Sequence, residues 1–431
     1  MNLCQRLVAA GVVVLVCAGS LGQDWPSFRG PDGSGMAEGS SPPVRFGEDE
    51  ALAWKVDVPG AGLASPIVVG ERVFVATAVE AEVVPVNPMI NPTGKGPWYV
   101  YSFRLLAFDR ATGEVLWDKE LAREKPHQSK HPDGTFADQS PVSDGERVYA
   151  FFGSRGLFCL TLEGELLWER DFGEMSIGGD LGEAATVALT SDSVIVPWSH
   201  RGDSWLAAVD KRTGEDRWRA ERISRTAWSS PAVATADGRE LAMVIDNEET
   251  TAYDAATGEV VWRAPGVDSS PIPTGVVADG FAVFMGSSRG VAVRLAGATG
   301  DLAETDSIAW TARRATPYIP SPAISDGICY FLRSSDAVLS AVRLADGSAV
   351  YRGERLGDLG TVYASPVIGG GHVYVCGREG GIAVVRAGER PEVVFRTELD
   401  GGISATPAIA GGDLIVRTNE KLYRFTNAGG E

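Results

Sequence analysis

At 431 residues the chain is longer than the usual single domain, yet its 44% apolar content is that of an ordinary globular protein. Its 57 acidic residues against 39 basic ones give a formal net charge of −18, which excludes a surface built to hold nucleic-acid phosphates or anionic lipid. Beyond the N-terminus no stretch has the length and apolarity of a membrane span.

The chain opens as a signal peptide. Arg6 supplies the charged region, residues 7–18 an apolar stretch too short to span a bilayer, and Ser20-Leu21-Gly22 a small-x-small cleavage site. The expected mature chain starts at Gln23 and is secreted or periplasmic. The rival reading, a lipid anchor at Cys17, is disfavoured by the bulk of Val16 before it. Removing residues 1–22 takes one positive charge, Arg6, and no acid, so the −18 becomes −19. Residues 23–48 read as an N-terminal extension, and residues 49–431 as one repeat region.

The repeat is Ser-Pro, an apolar strand, then Asp-x-x-Thr-Gly-x-x-x-Trp. Its first half falls at Ser65-Pro66, Ser140-Pro141, Ser230-Pro231, Ser270-Pro271, Ser321-Pro322, Ser365-Pro366 and Thr406-Pro407. A degenerate copy at Ala184-Ala185-Thr186-Val187 makes eight starts. Seven aromatics follow, at Trp117, Trp168, Trp218, Trp262, Trp310, Tyr351 and Phe395, and the eighth, Trp54, precedes the first start. Each unit predicts four short strands. Proline is tolerated at the first residue of the inner strand, where no ladder donor is needed. Turns such as Asp109-Arg-Ala-Thr112-Gly113 close a hairpin, with Asp bonding the backbone ahead and Gly supplying positive φ. The pattern predicts an all-β, eight-bladed β-propeller whose C-terminal blade is completed by the strand carrying Trp54.

Two interruptions stand out. Residues 80–102 form an insertion in the first blade, rich in proline and aromatics (Pro85, Pro88, Pro92, Pro97, Trp98, Tyr99, Tyr101), expected as an exposed loop. The cysteines left after cleavage, Cys159, Cys329 and Cys376, lie in strand-like contexts and read as buried thiols, with a Cys329–Cys376 bridge as the alternative. The four histidines suggest no metal site. His127 and His131 are four apart, but Pro126 and Pro132 flank them, so a polar loop is expected. No nucleophile elbow, phosphate loop or calcium-loop spacing is present.

The residues just before each start should surround the mouth of the central channel. They are Leu63, Asp138 with Gln139, Glu183, Trp228, Asp268, Tyr318, Tyr363 and Ile403. Three acids and three aromatics among them (Asp138, Glu183, Asp268, Trp228, Tyr318, Tyr363) would make an acidic, aromatic-walled funnel for a sugar, peptide or cationic ligand.

The Asp-x-x-Thr-Gly-x-x-x-Trp phrase resembles the tryptophan-docking repeat of pyrroloquinoline-quinone (PQQ)-type propellers. These include quinoprotein alcohol dehydrogenases and the outer-membrane-assembly lipoprotein of Gram-negative bacteria. The opening Trp25-Pro-Ser-Phe28-Arg29-Gly30-Pro-Asp-Gly33 resembles the start of secreted PQQ-like propellers of planctomycete type. The resemblance implies the scaffold. The dehydrogenases also carry an adjacent cysteine pair and a calcium held by Glu, Asn and Asp, and this chain has no such cysteine pair. The expectation is a non-catalytic binding or assembly scaffold, with no cofactor, whose partner is an envelope or secreted protein or a small funnel ligand. The alternative is a quinoprotein-type oxidoreductase with PQQ and calcium, or another small-molecule-binding enzyme that uses the central funnel.

Overall fold

The alternating apolar runs pair into eight four-stranded antiparallel sheets arranged as a ring. This computed structural model describes residues 24–83, 99–246, 249–267, 271–313 and 317–427. The expected signal peptide, Cys17, Asp268, Ser270 and most of the first-blade insertion lie outside the described residues. Blade 1 comprises Ile67–Val69, Arg72–Val83, Tyr99–Asp109 and Val115–Glu124, from channel to rim. Its two middle strands run on as a long hairpin into the insertion, paired up to Val83 and Tyr99.

The ring closes as the position of Trp54 implied. Blade 8 takes Ala408–Ala410, Asp413–Arg417 and Lys421–Thr426 from the C-terminal end of the chain, and its outer strand, Leu52–Asp57, from the N-terminal part. Antiparallel pairing of Leu52–Asp57 with Lys421–Thr426 leaves no gap in the ring. A buried charge cluster reinforces the seam. Asp413 of blade 8 accepts from Arg110 Nε of blade 1 at 2.7 Å and pairs with Arg424 at 3.0 Å. Arg110 also donates to the Ala410 carbonyl at 2.8 Å, so the charges are bonded as well as paired.

Two concentric sets of contacts join the blades. At the rim, the repeat's tryptophan docks on the turn of the following blade. The Trp54 indole N–H donates to Arg110 O at 2.9 Å, and its ring lies flat on Gly113, where a Cβ would come within 2.7 Å of the ring. Trp117, Trp168, Trp218 and Trp310 repeat this on Leu162, Lys211, Ala255 and Leu344. The Asp-x-x-Thr-Gly turn is built as its sequence suggests. Asp109 Oδ1 accepts from the Thr112 backbone at 2.8 Å, and Gly113 takes φ 77°. Blades 6 and 7 carry Tyr351 and Phe395 in place of the tryptophan, and blade 4 departs from the pattern in another way. Trp262 is fully buried and its indole N–H has no partner among the described residues. Its strand pairs instead with Gly300–Asp301 of the next blade.

At the axis, the residue that opens each inner strand joins a closed circle. The Ser65 N–H donates to Ser140 Oγ, Ser140 to Thr186, Thr186 to Ser230, Ser230 to Thr274, Thr274 to Ser321, Ser321 to Ser365, Ser365 to Thr406, and Thr406 back to Ser65. The eight N···O distances lie between 2.8 and 3.2 Å. The degenerate third unit enters through Thr186, as expected. The fifth unit does not start at Ser270-Pro271. Its member is Thr274, followed by Gly275 and the inner strand Val276–Ala278. The circle needs a hydroxyl two residues before the strand, and proline is dispensable. Pro271 serves elsewhere, its carbonyl accepting from Trp228 N and Ser229 N.

The N-terminal extension crosses the far face of the disc. Trp25 pairs with Val68 of blade 1, Pro26 O accepts from Ser143 of blade 2, and Met36–Ala37 adds a parallel strand to blade 7. Arg29 is 3% exposed and donates to Pro322 O and Pro366 O beneath blades 6 and 7. The cysteines are free and buried. Cys329 and Cys376 do not form the alternative bridge. One sits near the start of its strand (Ile328–Arg333), the other at the end of the equivalent strand (His372–Cys376) in the next blade.

Trp54→Ala should cost about 3–5 kcal/mol in urea unfolding, the range for truncating a packed aromatic. Trp54→Phe, which loses the bond to Arg110 O and part of the ring contact, should cost less, about 1–2 kcal/mol. Equal losses would show that the indole N–H, and not ring packing, carries the docking.

Candidate ligand site in the central channel

The hydroxyl circle lines a cavity of about 290 Å³ on the channel axis. Phe28 of the extension also lines it and closes its far end. Beyond Phe28 a second space, about 500 Å³, lies between residues 26–33 and the inner strands of blades 2 to 5. The walls are apolar or aromatic: Leu63, Ile272, Ile319, Trp228, Tyr318 and Tyr363.

The near side is roofed by the connection from blade 1 to blade 2. His131, Asp133 and Gly134 line the cavity there. This segment reaches across the mouth. Tyr363 Oη donates to Asp133 Oδ2 at 3.0 Å, Arg378 pairs with Asp133 at 3.1 Å, and the guanidinium lies 4.3 Å from the Tyr363 ring centre. The Tyr363 hydroxyl and Arg378 together hold the Asp133 carboxyl below the usual range. The same connection is tied to residues 175–181. His127 Nε2 contacts Met175 O at 2.8 Å, Gln128 Oε1 accepts from Ile177 N at 2.7 Å, and His131 N donates to Leu181 O at 3.1 Å. His127 and His131 are thus parts of a polar connection, as the flanking prolines implied.

Of the mouth residues read from the sequence, Leu63, Asp138, Trp228, Tyr318 and Tyr363 line the cavity. Trp228 is fixed by its indole N–H, which donates to Gly182 O at 2.8 Å. Tyr318 is 53% exposed at the rim of the mouth. Glu183 is not part of the wall. Its carboxylate turns back to Ser154, accepting from Ser154 N at 2.7 Å and Ser154 Oγ at 2.6 Å. Gln139 is buried and donates to Glu183 O, and Ile403 is buried, with Ser404 lining the cavity in its place. Asp268 lies outside the described residues, and with the blade starting at Thr274 its wall position belongs to Ile272. The expected acidic funnel is therefore nearly neutral among the described residues. Asp133 is matched by Arg378, Glu183 faces elsewhere, and Asp138 alone faces the cavity without a cation bound to it.

Burial pushes the Asp138 carboxyl up to about 6, against the hydrogen bonds from Thr135 and the charge of Lys130. Arg417 stands behind the wall, 1% exposed, donating to Ala64 O and Ala76 O at 2.9 and 2.8 Å. Burial lowers its pKa to about 10, partly offset by Asp138. The residues missed in the sequence were Phe28, Asp133, Ile272 and the hydroxyls themselves. The hydroxyls carried a signal, since each stands two places before an inner strand.

A calcium-held quinone does not fit this donor set. Among the described residues no three His, Cys, Asp or Glu side chains converge, and the lining offers two aspartates with no glutamate or asparagine.

A family model described as "Outer membrane protein assembly factor BamB" matches residues 46–196 and 202–431. The chain belongs to this family. Outer membrane protein assembly factor BamB of Alkalilimnicola ehrlichii is 29% identical over 211 residues, 48% of this chain and 51% of that protein. The match thus spans about half the length of the curated relative. The crystal structure of BamB from Moraxella catarrhalis superposes with TM-score 0.56 at 13% identity, covering 81% of this chain and 98% of that one. A europium-containing methanol dehydrogenase superposes with TM-score 0.64 at 11% identity, covering 94% and 98%. At these identities the superpositions show a shared fold.

The raised Asp138 pKa has a signed consequence. A carboxyl titrating near 6 in the folded chain and near 3.9 when unfolded contributes stability below the lower value and loses it as pH rises through the higher. Asp138→Asn should therefore gain on the native chain by up to about 2 kcal/mol between pH 4 and 6.5, in urea unfolding at matched pH. His131, Asp133, Lys130 and Arg417 surround the group in both proteins. Parallel pH curves would show that the carboxyl titrates normally.

Proposed function

We propose that the chain is a non-catalytic scaffold of the cell envelope, secreted or periplasmic, that holds another protein on the rim of its disc. The family's description supports an assembly role. The observation that carries the rim reading is a run of exposed apolar side chains on consecutive outer strands. Val115 and Leu116 of blade 1 are 56% and 47% exposed, and Leu166 and Leu167 of blade 2 are 50% and 47% exposed. Apolar side chains grouped on a surface mark interaction sites. These strands are also the outermost of their sheets, with an edge to which an extended partner segment can add. The blade 1 strand, Val115–Glu124, is the longer of the two, and its charges at Asp118, Lys119, Glu120, Arg123 and Glu124 guard it against self-pairing.

The competing reading, a PQQ-dependent oxidoreductase, draws on the fold shared with the methanol dehydrogenase. The channel's donor set supports the scaffold instead.

The test has two arms. Leu116→Glu combined with Leu167→Glu should leave the melting temperature within a few degrees, as surface changes do, while removing any envelope protein that co-purifies with the native chain. Retention of that protein would overturn the rim reading. Adding PQQ with calcium should give no bound-quinone spectrum and no dye-linked alcohol oxidation. Either signal would favour the oxidoreductase.

A further inference from the structure

The hydroxyl circle leaves a chemical remainder. Each of the eight oxygens accepts a backbone N–H from the preceding blade. A hydroxyl has one proton to donate in addition to its acceptor sites. None of the eight donates to a protein acceptor among the described residues, and all eight line the axial cavity. The cavity is thus girdled by uncommitted O–H donors, a requirement met by a set of waters or by one ligand with several acceptor atoms.

We propose that this cavity binds one neutral polyhydroxylated ligand of monosaccharide size. Three features select that class. The first is size, since about 290 Å³ stands at the small end of ligand pockets and admits one compact molecule. The second is the wall, where the aromatic rings of Trp228, Tyr318 and Phe28 supply surface of the kind that packs on the C–H face of a sugar ring. The third is charge. Asp138 and Asp133 line the cavity and neither Arg378 nor Arg417 does, which leaves a multiply anionic ligand facing carboxylates without a cation in the wall. A polyol hydroxyl can instead donate to the Asp138 carboxylate and accept from the circle. The roof formed by His131, Asp133 and Gly134 would enclose such a ligand between Phe28 and the mouth.

This site is separate from the rim proposed for the protein partner, so each reading can fail alone. The experiment titrates D-glucose, D-galactose and N-acetyl-D-glucosamine into the mature chain by calorimetry and by Trp fluorescence, up to about 10 mM, beyond the millimolar end of the affinity scale. At least one should bind one-to-one. Trp228→Ala should weaken it about tenfold, and Trp228→Phe, which keeps a stacking face, should restore most of the affinity. Ile272→Trp fills the cavity from its wall and keeps every residue of the hydroxyl circle, and should abolish binding while the chain still melts cooperatively. Absence of binding by all three sugars, binding that survives Ile272→Trp, or binding of PQQ in their place would overturn the proposal.

Discussion

The structure depends on one constraint: every inner strand must begin with a hydroxyl that takes the backbone N–H of the blade before it. The donor is main chain, so its position cannot vary by a rotamer. The acceptor is a short Ser or Thr side chain, so the two blades must meet at one separation and one height. Repeated eight times, this allows a closed circle only if all blades agree. A buried N–H left without its acceptor costs about 1–3 kcal/mol, which makes a missing hydroxyl expensive and explains why one is kept, at Thr186 and Thr274, where proline is lost. Tryptophan docking applies the same logic at larger radius. Trp54 on the Gly113 turn and Trp310 on the Gly347 turn hold the outer strands where the axial circle holds the inner ones.

Ring closure adds a demand that no single repeat can meet. Leu52–Asp57 must find Lys421–Thr426 across almost the whole chain, at a loop-closure cost that grows only slowly with length. The seam has the Arg110–Asp413–Arg424 cluster in addition to the Trp54 dock. The extension fastens the disc again from beneath, with Arg29 bonded to two blades and Gly35 at φ 80°, where a Cβ would strike the Arg29 guanidinium. Phe28, held between these anchors, turns an open channel into a one-ended cavity.

What was legible in the sequence follows from which interactions are local. The Asp-x-x-Thr-Gly turn is built within five residues, and the Trp54 partner strand follows from counting aromatics against starts, so eight blades and their closure could be read directly. Ser270-Pro271 misled because the repeat was read as a dipeptide, while the structure selects a hydroxyl at fixed distance from the strand, at Thr274. Glu183 sits beside the mouth in sequence, but the nearby Ser154 hydroxyl and N–H draw its carboxylate away. Asp133 was invisible because its partners Tyr363 and Arg378 are brought to it only by the curvature of the ring. The same curvature gathers eight hydroxyls that, taken singly, look like ordinary strand starts.

Backbone hydrogen exchange at Ser65, Ser140, Thr186, Ser230, Thr274, Ser321, Ser365 and Thr406 tests the circle most directly. If these eight N–H groups form one closed set, they exchange slowly and together, through a single opening near the global unfolding free energy. Thr274 would be protected like the rest. Eight unrelated rates, or a rapidly exchanging Thr274 amide, would contradict a closed circle and the cavity it defines.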